Sequence, residues 1–142
     1  MKKYFLLSII IIPLVLIECK AENTDFQGIA INNPEEPVVK LTNESFKKLI
    51  FDYETTTEWK FAGKKPAIID FYADWCAPCR QLSPLVEEIA REYSGKIDVY
   101  KVDTEKERLL TQKLGITGLP TLLFIPETGQ PQAAIGALPK ET

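Results

Sequence analysis

The chain has 142 residues, 45% of them hydrophobic and 26% charged, which suffices for one compact domain and not for two. A formal net charge of -3 and a pI near 5.1 supply no basic field for a phosphate backbone and argue against a nucleic-acid binder. There is no histidine, so His-ligated zinc or haem, Ser-His-Asp or Cys-His catalysis and imidazole acid–base chemistry are all excluded.

Residues 1–21 read as an export signal. Lys2 and Lys3 precede an almost unbroken apolar run over 4–17, shorter than the roughly 18 residues a spanning helix needs. Two cleavage readings compete. Cys19-Lys20-Ala21 places small residues correctly for cleavage after Ala21. Leu16-Ile17-Glu18-Cys19 is similar to a bacterial lipobox, with a lipid anchor at Cys19, although Glu18 departs from that pattern. Either reading puts the mature domain outside the cytoplasm, in the periplasm or anchored to a membrane as a lipoprotein. Residues 22–37 are polar and broken by Asn-Asn-Pro and Glu-Glu-Pro, the pattern of a tether or arm. Phe26, Ile29 and Ile31 within it can dock on the domain that fills 38–142.

In that domain strands and helices alternate. Residues 38–41 read as a strand, with Thr42 or Asn43 capping a helix that carries Phe46, Leu49, Ile50 and Tyr53. Residues 67–73 form a strand apolar on both faces, which belongs at the centre of a covered sheet. Leu82, Leu85, Val86, Ile89, Ala90 and Tyr93 form one helical stripe, and Pro84 is expected to kink that helix in a structural role. A strand over 97–102, a helix over 106–114 and a strand over 121–125 follow. Glu127-Thr128-Gly129-Gln130 then turns the chain back into 132–137. Such alternation with a closing hairpin indicates an α/β domain built on a mixed sheet.

The chemistry is concentrated in Asp74-Trp75-Cys76-Ala77-Pro78-Cys79-Arg80. Between a strand and a helix, this spacing puts Cys76 at the helix N-terminus, where unpaired N–H groups and the macrodipole favour a thiolate. The thiolate is the form that attacks disulfides, so Cys76 is the expected nucleophile and is expected to be exposed. Cys79, one turn on, is expected to be more buried. Pro78 suits the first helical turn. Other readings of the pair fail on ligand number: zinc and iron–sulfur sites need four donors, and haem attachment needs histidine where Arg80 stands. A structural disulfide over so small a loop would constrain little of the unfolded chain. No metal or organic cofactor is expected.

These residues, with Asp70-Phe71-Tyr72-Ala73 before them, Lys101-Val102-Asp103, Gly118-Leu119-Pro120-Thr121 and Gly136, resemble thioredoxin over 66–137. Residues 38–63 are similar to that family's opening strand and helix. Within the family the chain most resembles exported thioredoxins of Bacteroides-type bacteria. Ala77 stands where thioredoxins usually have glycine, a small departure that should leave the disulfide reducing.

Asp70 is a carboxylate in an apolar strand, which costs free energy unless the group is paired or protonated. The resemblance implies that it is a buried base acting through water on Cys79, and the alternative is a strand-end turn former. Lys101 has a family counterpart near that carboxylate; otherwise it is a snorkelling lysine. An arbitrary X–Pro bond is trans, yet the resemblance implies a cis Pro120 opposite the cysteines. It also implies that the backbone of Leu119 pairs with an extended substrate segment and that Trp75 is exposed beside the groove.

The expectation is therefore a protein-disulfide reductase that cycles a Cys76–Cys79 disulfide. Its partners would be disulfide-bearing proteins and a membrane thiol electron donor. A reductant dedicated to cytochrome c maturation, an oxidant or isomerase, and a non-catalytic binding module of the same fold are the alternatives. Residues 138–142 read as the first turn of the family's terminal helix, so a truncated helix, a partly bare sheet face and self-association through it are expected.

Overall fold

The computed structural model describes residues 36–136. The signal, Cys19, most of the arm and the residues expected to start a terminal helix lie outside the described residues. Eight elements follow one another: β1 (Val39–Lys40), α1 (Asn43–Leu49), β2 (Ala67–Tyr72), α2 (Ala77–Glu92), β3 (Asp98–Asp103), α3 (Arg108–Lys113), β4 (Thr121–Ile125) and β5 (Gln132–Ile135). They build one five-stranded sheet in the order β1-β3-β2-β4-β5. The pairs β1–β3 and β3–β2 are parallel, and β4 and β5 run antiparallel to their neighbours. The sheet is mixed, as expected, with β2 at its centre. Gly129, at φ 104°, makes the turn of the β4–β5 hairpin.

Strand alternation divides the core between two faces. Ala67, Ile69 and Phe71 of β2 point to one face, where they pack with Phe46 and Ile50 from α1 and its cap, Leu110 from α3, and Tyr100, Val102, Leu123 and Ile125. Ile68 points to the other, against Leu82, Val86 and Ala90 of α2 together with Val38, Val99 and Leu122. The same parity carries Asp70 to the α2 face. On that face Ile68 and Phe124 are only partly buried.

Two helix boundaries differ from the sequence reading. Thr42 and Ser45 form a reciprocal capping box on α1, each side chain accepting from the other's backbone N–H at 3.2 and 2.8 Å. The helix stops at Leu49, however, and does not include Tyr53. The side chain of Asp52 accepts from Glu54 N–H at 3.1 Å, a turn that competes with further helix. The Ile50 carbonyl is taken instead by Ala62 N–H at 2.8 Å. Tyr53 folds back, its ring tilted against Phe46 and its hydroxyl on the Asn43 side chain. Likewise α3 begins at Arg108 and not at Lys106, because the Asp103 carboxylate draws the N–H groups of Glu105 and Lys106 into a turn at 3.1 and 3.4 Å.

Candidate redox site

Cys76 is the N-cap of α2, in extended backbone at φ -74° and ψ 104°. Its sulfur accepts from Cys79 N–H at 3.2 Å, one of the donors that a helix start leaves without an intrahelical partner. Pro78 lies in the first turn, where its missing N–H leaves no acceptor wanting. Arg80 donates to the Asp74 carbonyl at 2.8 Å and ties the loop before the helix to the turn after it. Cys76 and Cys79 are joined as a disulfide with their Cα atoms 5.2 Å apart.

The sequence reading had Cys76 exposed and Cys79 buried. In this oxidised form both are 3% exposed, since a bonded pair of sulfurs covers both partners alike. What separates them is the hollow each one lines.

Cys76 lines an open groove of about 480 Å³. Its walls are Trp75, Ala77 and Pro78 on the α2 side, Thr104, Glu105, Arg108 and Thr111 around α3, and Ile116 to Leu119 opposite. Trp75 is 66% exposed at the rim. The Leu119–Pro120 bond is cis, and Pro120 is fully buried beneath the groove wall. Pro120 also accepts from Gly136 N–H at 2.8 Å, which joins that loop to the end of β5.

Cys79 lines a second hollow of about 260 Å³ on the α2 face. Asp70, Lys101, Lys40, Asp74, Arg80 and Ser83 line it too. Register explains the cluster: Asp70 pairs with Lys101 across β2–β3, and Lys101 with Lys40 across β3–β1. Asp70 is 3% exposed, and its Oδ1 has no hydrogen-bond partner. Burial pushes its pKa up to about 6, against the opposing pull of the Lys101 charge. Such a carboxyl takes up and releases a proton close to neutral pH.

The structure thus brings Cys76, Trp75 and Leu119 around one hollow, with the buried cis Pro120 following Leu119 in the chain and not lining it, and Cys79, Asp70 and Lys101 around the other. Sequence reasoning missed Glu105, Arg108 and Thr111 on the groove and Lys40 and Ser83 at the carboxylate. The first group read as an ordinary charged helix start. Lys40 becomes visible only once strand order is known. Among the described residues no cluster of histidine, cysteine and carboxylate groups could hold a metal, and no helix is long and apolar enough to cross a membrane.

Comparison with known proteins agrees with this geometry. The thioredoxin family model matches residues 37–142. A thioredoxin of Borreliella burgdorferi is 48% identical over 103 residues, covering 72% of this chain and 88% of the relative. Thioredoxin 1 of a Nostoc species is 35% identical over 103 residues, covering 72% and 87%. Among solved structures, a chloroplastic thioredoxin z superposes with a TM-score of 0.62 at 30% identity, covering 73% of this chain and 85% of that one. A thioredoxin of Malassezia sympodialis gives 0.58 at 30% identity, covering 72% and 81%.

Proposed function

The chain belongs to the thioredoxin family and is a thiol–disulfide oxidoreductase, and we propose that it reduces protein disulfides outside the cytoplasm. The observation that carries this reading is the Cys76–Cys79 disulfide at a helix start, with an open groove beside one sulfur and a buried carboxylate beside the other.

In the reduced protein the Cys76 thiolate attacks a substrate disulfide bound along the groove. One substrate sulfur leaves and takes up a proton, and the other is held to Cys76 as a mixed disulfide. Asp70 then accepts the Cys79 proton through water, and the Cys79 thiolate attacks the Cys76 sulfur. The second substrate thiol departs and the Cys76–Cys79 bond closes, so two electrons pass from protein to substrate. Leu119 pairs its backbone with the substrate strand, Trp75 and Pro120 shape the groove, and Lys101 balances the charge that develops on Asp70. No cofactor takes part.

Export follows from the charged start and apolar run of residues 1–21, with the tether at 22–37 and the domain at 38–142. A membrane thiol donor would return the disulfide to the dithiol form, as for exported thioredoxins. The N-terminal mass of protein taken from cells tests this: a chain starting at Glu22 means ordinary cleavage, and a lipid-modified Cys19 means an anchor. A full-length start in the cytoplasm would overturn export. Self-association through the sheet face that carries Ile68 and Phe124 belongs to the same reading and is checked by sedimentation.

The direction of flux is tested by the reduction potential. A value near about -270 mV supports a reductant and one near about -120 mV an oxidant. Trapping mixed disulfides with Cys79→Ser identifies substrates and separates general reduction from service to apocytochrome c. Function that survives loss of both cysteines would mean a binding module.

A further inference from the structure

The groove beside Cys76 contains a charged group that the redox chemistry does not use. Arg108, the first residue of α3, lines it. The Arg108 Nε–H donates to the Glu105 carbonyl at 3.1 Å, which fixes the plane of the guanidinium and spends only one of its donors. Among the described residues, none of the ion pairs involves Arg108.

The other polar groups on the wall are already engaged or free to turn away. Thr104 and Thr111 donate their hydroxyls to the carbonyls of Tyr72 and Glu107 at 3.0 and 2.8 Å. Lys106, close by in sequence, is paired with Asp103 at 2.9 Å. Glu105 is the one acidic side chain on the wall. It is exposed, as Arg108 is, so its rotamers can turn the charge into water, whereas the guanidinium is oriented by its bond to the Glu105 carbonyl. The remaining wall is the exposed Thr117, whose hydroxyl can donate or accept, and apolar surface from Trp75, Pro78, Ile116 and Leu119. The directed polar demand of the groove is therefore for an acceptor, and a planar fork of N–H groups matches a carboxylate.

We propose that Arg108 selects among protein substrates, favouring those with an Asp or Glu side chain two or three residues from the attacked cysteine. The proposal rests on the reductase reading of the groove. The spacing follows from size: a hollow of this volume is on the order of 10 Å across, and an extended strand advances about 3.3 Å per residue. A carboxylate that meets Arg108 while its cysteine meets Cys76 comes from two or three positions away. Because the pair forms at a solvent-facing rim, it changes rate by a modest factor, roughly two- to five-fold.

The test uses pairs of peptide mixed disulfides that differ only by Asp or Asn two or three residues from the cysteine, on either side. The second-order rate of their reduction by the full dithiol protein is measured at low and high salt. The wild type should reduce the Asp peptide roughly two- to five-fold faster on one side of the cysteine, and the ratio should fall toward one as salt rises. Arg108→Gln should bring the ratio to one, and Arg108→Glu should invert it. A wild-type ratio of one on both sides, or a preference that survives Arg108→Gln, overturns the proposal while leaving the reductase reading intact. If neither peptide is reduced, the reductase reading itself fails.

Discussion

At the scale of single residues, the two cysteines are equal in burial and unequal in surroundings. Cys76 accepts a helix-start N–H and faces the groove, whereas Cys79 faces a hollow with a carboxylate. In the reduced protein, iodoacetamide near neutral pH should therefore modify Cys76 at least about ten-fold faster, read by peptide mass mapping. Equal rates would remove the assignment of nucleophile. Asp70 gives a second prediction, whose sign follows from where it holds its proton. The folded protein keeps that proton up to about pH 6, while an unfolded aspartate releases it near 3.8. Between those values the folded state binds more protons, so stability declines as pH rises through the window and stays lower above it. Asp70→Asn removes that decline, and urea unfolding at pH 4 and pH 8 should show the variant gaining up to about 3 kcal/mol on the wild type. The same substitution should slow resolution of the mixed disulfide, not its formation, and abolish the fall in resolution rate below about pH 6. Unchanged resolution at every pH would reduce Asp70 to a packing group.

At the scale of elements, local chemistry decides both what holds and what could be read in advance. The Thr42–Ser45 capping box satisfies helix-start donors at the entry to α1. Thr42→Ala should cost about 1 kcal/mol in equilibrium unfolding without moving the redox kinetics, since α1 packs on the face away from Cys79. A cap at Thr42 or Asn43 was legible because capping chemistry is local, while the choice of Thr42 and its reciprocal bond with Ser45 came from the structure. The central position of β2 was legible too, because a strand covered on both faces must be apolar throughout except where a charge has a purpose. The α1 end was not, since Tyr53 keeps the helical spacing and only the Asp52 turn shows that the chain has already left the helix. The hollow around Asp70 was half legible. An acid in an apolar strand draws notice by itself and the resemblance puts Lys101 near it, but the register that pairs the two, and the approach of Lys40 through Lys101, depend on strand order. Arg108 gave no signal, because a charged residue at a helix start is ordinary until a groove is seen beside it.

At the scale of the molecule, the two faces of the sheet divide stability from chemistry. The α1–α3 face carries the larger core, with Phe46, Ile50, Ile69, Phe71 and Val102 at 0% exposure, and Phe51, Trp59, Leu114 and Leu123 of the same core line a hollow of about 210 Å³. The α2 face holds the redox helix and the buried carboxylate, and toward the opposite end of the strands it leaves Ile68 and Phe124 partly uncovered. Such a division suits a protein whose active helix must accept and release a disulfide while the scaffold stays fixed, because the chemistry does not disturb the main core. It also yields a comparison within one strand. Ile69→Ala should cost about 2–5 kcal/mol, the range for emptying a filled core position. Ile68→Ala, its neighbour on the other face, removes the same atoms from a site that water already reaches in part, so it should cost about 1 kcal/mol less or better. Both follow from denaturant midpoints at unchanged slope. Equal costs would mean that Ile68 is fully covered in solution, by a second copy or by another part of the chain. Dilution would then tell the two apart, since only a second copy makes the cost of Ile68→Ala depend on protein concentration.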